Sequence, residues 1–146
     1  GNSGLPELRE AISDYFDKHY GVKYDPAGEI IVTVGVSEGL AMALQAIVDH
    51  GDEVLIPDPA YVAYPATVQL AGGIPVMVPT YPEHDFKLSV EALEKVVTPK
   101  TKAMVIGYPN NPTGTVMTAE ELMPIAEFAK KHDLVVLADE IYCELV

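Results

Sequence analysis

The chain has 146 residues, the length of one domain, and its 22 acidic residues outnumber nine basic residues to give a net charge of −13. A chain this acidic, whose longest basic cluster is Lys130-Lys131, is not expected to bind nucleic acid or an anionic membrane surface. No apolar run reaches the roughly 18 residues of a membrane-spanning helix, and the single cysteine, Cys143, favours a reducing compartment such as the cytoplasm.

Hydrophobic periodicity along the chain predicts helices that alternate with short strands. The predicted helices cover residues 5–20, 38–48, 61–70, 89–96 and 119–131. The predicted strands cover residues 30–34, 53–56, 74–78, 103–106 and 134–138. Residues 35–37 are expected to form the turn between the first strand and the second helix, and Thr118 with Glu121 has the spacing of a capping box.

This alternation predicts an α/β fold with a mostly parallel sheet and helices on both faces. Residues 1–146 are expected to form one domain, because the sequence contains no linker and no internal repeat. The strands are expected to be buried, since they are apolar throughout. No helix is predicted after the strand over residues 134–138, so we expect the chain to be an incomplete part of a larger domain.

Polar side chains follow two of the predicted strands, at the edge where ligands bind in open α/β sheets. Asp139 comes directly after an apolar strand, so its carboxylate is expected to need a cationic partner such as a protonated pyridine nitrogen; a helix cap or a surface acid is the alternative. Asn111 lies between Pro109 and Pro112, and taken singly this segment is typical of a turn. Tyr142 follows Asp139 closely and points the same way if the intervening backbone turns sharply.

The segment over residues 35–38 joins a predicted strand to a predicted helix and is a second candidate site. Backbone N–H groups at a helix N-terminus attract anions, and the Ser37 hydroxyl is able to bind a phosphate. The alternative is that Ser37 is an ordinary N-cap residue. The spacing fits neither a P-loop nor a dinucleotide-binding fingerprint, which disfavours nucleotide ligands.

Two tyrosines and the cysteine lie close to these strand ends in the sequence. The ring of Tyr61 or Tyr64 is able to stack on a planar ligand, although tyrosine at helical spacing is more typical of a core. The sequence leaves open which of the two rings faces the ligand. Cys143 is interpreted as a small buried apolar side chain, because no histidine is near it in the sequence.

Five segments, over residues 5–10, 33–40, 58–65, 111–114 and 139–142, together resemble the class I and II aminotransferases in their order along the chain. These are pyridoxal-phosphate enzymes of fold type I. The resemblance covers essentially the whole chain and implies the large, cofactor-binding domain of such an enzyme, truncated at both ends. It also implies a reaction that moves an amino group between an amino acid and a 2-oxo acid.

The resemblance implies that three candidate residues hold the cofactor by its phosphate and by one face of its ring. Val36 and Ser37 would bind the phosphate of pyridoxal 5′-phosphate, largely through backbone N–H groups and the serine hydroxyl. Tyr61 would stack on the pyridine ring. These roles come from the resemblance alone.

The same resemblance implies two catalytic residues, Asp139 and Tyr142. Asp139 would pair with the pyridine nitrogen and keep it protonated, so that the ring withdraws electrons from the reacting amino acid. Tyr142 and Asn111 would form hydrogen bonds with the phenolic oxygen of the ring.

The chain departs from the family pattern at the lysine that holds the cofactor as a Schiff base, usually in a Ser-x-x-Lys segment downstream of residues 139–142. None of the lysines in this chain has that setting. The chain alone is therefore expected to be inactive, and a full-length homodimeric parent to be the enzyme. The alternative is a non-catalytic module of this fold that senses a ligand or binds another protein.

Overall fold

Four parallel strands form one sheet in the computed structural model of the chain, which describes residues 2–145. The strands are β1 (Glu53–Asp58), β2 (Ile74–Pro79), β3 (Thr101–Gly107) and β4 (Val135–Asp139), in the order β2-β1-β3-β4. The helices within those residues are α1 (Pro6–Tyr20), α2 (Gly35–Ile47), α3 (Ala63–Leu70), α4 (Val90–Glu94) and α5 (Ala119–Lys131), with 3-10 turns at Pro82–His84 and Cys143–Leu145. The predicted parallel α/β fold is confirmed.

Two compact units divide the described residues between Leu40 and Ala41. The first unit contains α1 and the start of α2, and the second contains the remainder of α2, the sheet and the other helices. In the first unit, α1 ends at Tyr20 and is capped by Gly21, whose φ of 67° is a left-handed conformation that glycine adopts without steric cost. No helix within residues 2–145 has the length and apolar character needed to cross a membrane.

The predicted strand over residues 30–34 is not formed. Val32 N donates to Ser3 O at 3.1 Å, and the side chains of Ile31 and Val34 are exposed. Residues with β-branched side chains stabilise a strand by packing against a neighbouring strand, and none of the described strands pairs with this segment.

The helix α2 begins at Gly35, earlier than the sequence predicts. Side chains around its start satisfy the backbone there: the Glu38 carboxylate accepts from Val34 N, and the Thr33 hydroxyl donates to Gly35 O at 2.9 Å. Residues 35–37 therefore form the first turn of a helix and not a separate turn. Ser37 lies inside the helix, so its interpretation as the N-cap is wrong.

The core of the second unit covers both faces of the sheet. On one face, Leu55 of β1 packs with Leu93 of α4 and Phe128 of α5. Successive strand residues point to opposite faces, so the fully buried side chains of Val54 and Ile56 lie on the other face. The helix α3 contacts β1 and β2 but takes no part in the first cluster. Helices on both faces are the arrangement that the sequence predicts.

Most element bounds agree with the sequence-based predictions. The helix α5 covers the predicted residues, and its capping box is confirmed: Thr118 Oγ1 accepts from Glu121 N at 3.3 Å, and Glu121 Oε2 accepts from Thr118 N at 2.9 Å. α3 begins two residues later than predicted, at Ala63, and α4 is shorter than predicted. The strands extend further than predicted toward their carboxyl ends, so Asp139 is the last residue of β4.

The prediction that every strand is buried is wrong for both edge strands, β2 and β4. In β2, Ile74 is 47% exposed and Met77 is 38% exposed. Val135 and Val136 are each 41% exposed. The cause is position, because β4 is at the edge of the sheet and pairs only with β3 among the described residues.

The other edge strand, β2, is protected by its prolines. Ile74 N and Thr80 N donate to carbonyl groups on the β1 side at 2.8 and 2.9 Å, so the even-numbered residues of β2 direct their N–H groups toward β1. The odd-numbered Pro75 and Pro79 face outward and have no N–H group to offer a further strand. The strand β4 contains no proline.

We expect the 146-residue chain to self-associate through the outer edge of β4. Val136→Lys places a charge in this edge and is expected to raise the concentration at which the chain associates by at least about tenfold, equal to about 1.4 kcal/mol. Met77→Lys is the matched change on the proline-protected strand β2 and is expected to leave association unchanged. Sedimentation velocity measures both, and a native chain that stays monomeric at high concentration would contradict this expectation.

Candidate functional site

The carboxyl ends of β1, β3 and β4 meet at one edge of the sheet in the second unit. β3 pairs with both of the other strands, and Gly107 at its end lies opposite Asp139 at the end of β4. Because the strands are parallel, the segments that follow them begin at this same edge. The structure therefore brings Tyr61, Asn111, Asp139 and Tyr142 to one edge, as the sequence predicts.

A hydrogen bond between Tyr64 and Asp139 joins two of these segments. Tyr64 lies in the first turn of α3 and is 5% exposed, and its hydroxyl donates to Asp139 Oδ2 at 2.7 Å. Tyr64 follows β1, and Asp139 ends β4, so the phenol reaches across the end of β3, which lies between them. Gly107 permits this reach, because a Cβ atom at that position would lie 2.9 Å from the Tyr64 hydroxyl.

Asp139 is half-buried, less than expected for an acid that follows an apolar strand, because β4 is an edge strand. Its Oδ2 accepts from Tyr64, and its Oδ1 accepts from Ile141 N at 3.2 Å. Both donors are neutral, and no Lys, Arg or His side chain within residues 2–145 forms an ion pair with this carboxylate. The negative charge of Asp139 is oriented by hydrogen bonds without being neutralised.

The Tyr64 hydroxyl stays protonated over a wide pH range. Burial is the main cause that raises the pKa of Tyr64 far above its ordinary value, and the hydrogen bond to Asp139 and the charge of that carboxylate raise the pKa further. Tyr142 and Tyr61 make smaller contributions in the same direction, so both phenols lie close enough to act on Tyr64. Tyr64 therefore acts as a hydrogen-bond donor to Asp139 at neutral pH.

The two tyrosines that the sequence could not tell apart have different environments. The ring of Tyr61 packs edge-to-face against the ring of Tyr64, with 5.7 Å between centroids and 83° between planes. Tyr61 is 39% exposed, whereas Tyr64 is buried against the acid. Of the two, Tyr61 has ring surface left for a planar ligand.

The turn after β3 is formed by Asn110, which leaves Asn111 free. Asn110 is 8% exposed, and its Oδ1 accepts from Thr113 N at 3.3 Å and from the Thr113 hydroxyl at 2.9 Å. Its backbone carbonyl accepts from Gly114 N at 2.8 Å. Asn111 is exposed, and its amide makes no hydrogen bond within residues 2–145. The predicted turn in this segment is confirmed, and because Asn110 supplies its side-chain hydrogen bonds, the amide of Asn111 is available to a ligand.

Tyr142 and Cys143 follow β4 at the same edge. Tyr142 is half-buried, and its hydroxyl makes no hydrogen bond within the described part of the chain. Cys143 is a free, half-buried cysteine, less buried than the sequence predicts, because it starts an exposed 3-10 turn.

The phosphate-binding candidates, Val36 and Ser37, lie in the first turn of α2 in the first unit. The first N–H groups of a helix have no partner inside the helix, and the helix dipole is positive there. Both side chains are exposed, and the Glu38 carboxylate is directed to the backbone at Val34. This turn is able to bind an anion.

Sequence reasoning missed two residues that build the site, Gly107 and Asn110, and it did not foresee the contact of Tyr64 with Asp139. A glycine at the end of an apolar strand indicates close approach of another group, which was the available signal for Gly107. Tyr64 and Asp139 are 75 residues apart, so their contact has no local signal.

No group of three or more His, Cys, Asp or Glu side chains within residues 2–145 is arranged to hold a metal ion.

The chain is similar to known proteins over nearly its whole length. The sequence model of the family described as "Aminotransferase class I and II" matches residues 1–146. Aromatic-amino-acid aminotransferase 2 of Thermococcus litoralis and aspartate aminotransferase of Pyrococcus abyssi are each 52% identical to the chain over 141 residues, which is 97% of this chain and 36% of each relative. The chain thus spans little more than a third of the curated relatives it matches.

A solved structure shows the same relation in three dimensions. The crystal structure of the aromatic aminotransferase from Pyrococcus horikoshii matches with a TM-score of 0.94 at 50% sequence identity, over 96% of this chain and 38% of that one.

We expect Asn110 and Asn111 to differ in their contribution to stability. Asn110→Ala removes two hydrogen bonds from a buried turn and is expected to lower the free energy of unfolding by about 1–3 kcal/mol. Asn111→Ala removes an exposed amide and is expected to change it by less than about 0.5 kcal/mol. Urea titration measures both, and an equal or larger loss in Asn111→Ala would contradict the assignment of the turn to Asn110.

Proposed function

Because this chain belongs to the class I and II aminotransferase family, we propose that it forms the cofactor site of an enzyme that moves an amino group between an amino acid and a 2-oxo acid. Enzymes of this family depend on pyridoxal phosphate. The observation that carries the proposal is the Asp139 carboxylate, which two neutral donors hold at the sheet edge without a cationic partner among the described residues.

The residues at the carboxyl edge fit pyridoxal phosphate in charge and in shape. A protonated ring nitrogen would be the cationic partner that the Asp139 carboxylate lacks among the described residues. The free amide of Asn111 and the free hydroxyl of Tyr142 are donors suited to the ionised phenolic oxygen of the ring. The exposed ring surface of Tyr61 suits a planar ligand.

When bound, the protonated cofactor ring withdraws electrons from the α-carbon of the amino acid and so eases the loss of its proton. Asp139 would hold the proton at the ring nitrogen through a charge-assisted hydrogen bond. Tyr142 and Asn111 would donate to the phenolic oxygen and stabilise its negative charge. Tyr61 would fix the plane of the ring by stacking.

Val36 and Ser37 would bind the cofactor phosphate. Their backbone N–H groups lie in the first turn of α2, where helix geometry leaves them unpaired. The exposed Ser37 hydroxyl is a further donor, and it is not used as a helix cap.

We also expect the full-length protein to act in the cytoplasm as a homodimer. The single cysteine of the chain supports a reducing compartment, and the dimer rests on the family resemblance. The alternative of a non-catalytic sensing module has no support in the relatives described above, since each of them is named as an aminotransferase.

The proposal predicts that Asp139→Asn weakens cofactor binding to the full-length protein. Loss of a charge-assisted hydrogen bond, worth about 1.5–3 kcal/mol, is expected to raise the dissociation constant of pyridoxal phosphate about 10- to 100-fold and to lower turnover. The change keeps the size of the side chain, but asparagine has a single acceptor oxygen, so only one of the two donors, Tyr64 or Ile141, keeps its acceptor. Equilibrium dialysis and a transamination assay measure the two effects.

The matched control is Asp133→Asn, two residues before the start of β4. Asp133 is exposed with a φ of 54°, a conformation that asparagine tolerates. This variant is expected to bind cofactor normally. If Asp139→Asn behaves like Asp133→Asn, Asp139 does not contact the cofactor and the proposed function loses its main support.

Three lysines of the second unit form ion pairs, and two others lie at the amino end of β3. Lys87, in the segment between β2 and α4, contacts Glu121 Oε1 at 2.7 Å, and this contact holds the pKa of Glu121 below its usual value. Lys100 and Lys102 lie at the amino end of β3, opposite the edge that carries Asp139.

We therefore expect the 146-residue chain to form no specific imine with pyridoxal phosphate and to show no transaminase activity. Absorbance spectra of the mixture are expected to show only the weak, heterogeneous signal of surface lysines. Lys87→Arg keeps the ion pair with Glu121 and serves as the control. A discrete imine band that Lys87→Arg abolishes would contradict the prediction.

A further inference from the structure

Tyr64 is the most deeply buried phenol at the carboxyl edge, and the function proposed above gives it no contact with the cofactor. We propose that Tyr64 is a positioning residue, whose hydroxyl passes over Gly107 and fixes the Asp139 carboxylate in the orientation that receives the protonated ring nitrogen. This inference rests on the proposed function and adds a residue to it.

Two hydrogen bonds hold the side chain of Asp139. The terminal torsion of an aspartate side chain is broad, so a carboxylate rotates unless its oxygens are held. Tyr64 holds Oδ2 at 2.7 Å and Ile141 N holds Oδ1 at 3.2 Å. These donors come from segments after β1 and after β4, so the carboxylate is fixed from two directions.

A tyrosine at residue 64 orients the Asp139 carboxylate without cancelling its charge. A lysine or arginine at residue 64 would form an ion pair with Asp139 and compete with a cationic ligand. The Tyr64 hydroxyl is a neutral donor, and burial beside a carboxylate keeps it protonated. The charge of Asp139 stays available to the ring nitrogen.

Gly107 lies directly beneath the Tyr64 hydroxyl. A Cβ atom on Gly107 would lie 2.9 Å from the Tyr64 hydroxyl and 3.6 Å from Asp139 Cβ. A distance of 2.9 Å between a Cβ atom and the Tyr64 hydroxyl is too short, so the hydroxyl would have to move. The φ of Gly107 is not in the left-handed region, so the space above its Cα and not its backbone conformation calls for glycine.

The test is a double-mutant cycle on the full-length protein, read out as the dissociation constant of pyridoxal phosphate. Tyr64→Phe keeps the ring and removes the donor, and Gly107→Ala displaces the donor. Each is expected to raise the dissociation constant about tenfold, the lower end of the effect of outer-shell partners at metal sites. In an Asp139→Ala background, Tyr64→Phe is expected to have no further effect, since Tyr64 acts through Asp139.

A second readout needs no cofactor. It is the pKa of the Tyr64 hydroxyl in the cofactor-free protein, measured by NMR with tyrosine labelled by 13C at Cζ. In the native protein, this pKa is expected to lie well above that of an ordinary phenol. In Asp139→Ala and in Gly107→Ala, it is expected to be lower than in the native protein. The control for stability is Tyr108→Phe, which removes a partly buried hydroxyl that accepts from Leu88 N at 3.3 Å. This control is expected to change neither the Tyr64 titration nor cofactor affinity.

The outcomes separate this inference from the proposed function. If Asp139→Ala weakens cofactor binding but Tyr64→Phe does not, the proposed function stands and the positioning role is wrong. If the effects of Tyr64→Phe and Asp139→Ala simply add, Tyr64 is structural and the inference is overturned. If Asp139→Ala leaves binding unchanged, both are wrong.

Discussion

The hydrogen bond from Tyr64 to Asp139 is the contact on which the candidate site depends. It joins the segment after β1 to the end of β4 and crosses the intervening strand at Gly107, the point where a side chain would block it. It also decides the electrostatics, because a neutral donor holds the carboxylate and leaves its charge uncompensated. An oriented anion at the carboxyl edge of a parallel sheet is suited to a cationic ring.

The other groups at this edge divide into those that build it and those that stay free. Asn110 forms the turn after β3, so the amide of Asn111 is available to a ligand. Tyr64 is buried against the acid, so Tyr61 keeps an exposed ring surface. In both pairs, one residue satisfies the fold and a nearby residue of the same type is left for binding.

The sequence predicts well what depends on local signals. The capping box of α5, the parallel sheet and the placement of Asp139, Asn111 and Tyr142 at strand ends follow from short patterns. It fails where distant contacts decide: residues 30–34 have strand-like side chains but no neighbouring strand, and β4 is apolar but lies at an edge. The role of Tyr64 depends on a contact across 75 residues, which no local pattern encodes.

In the proposed site, the Asp139 carboxylate would hold a proton on the ring nitrogen of the cofactor. The direct measurement is the 15N chemical shift of pyridoxal phosphate labelled at the ring nitrogen and bound to the full-length protein at neutral pH. The shift is expected to be that of a protonated nitrogen in the native protein and to move to that of a deprotonated nitrogen in Asp139→Asn. A nitrogen that is unprotonated in the native protein, or equally protonated in both proteins, would contradict the claim.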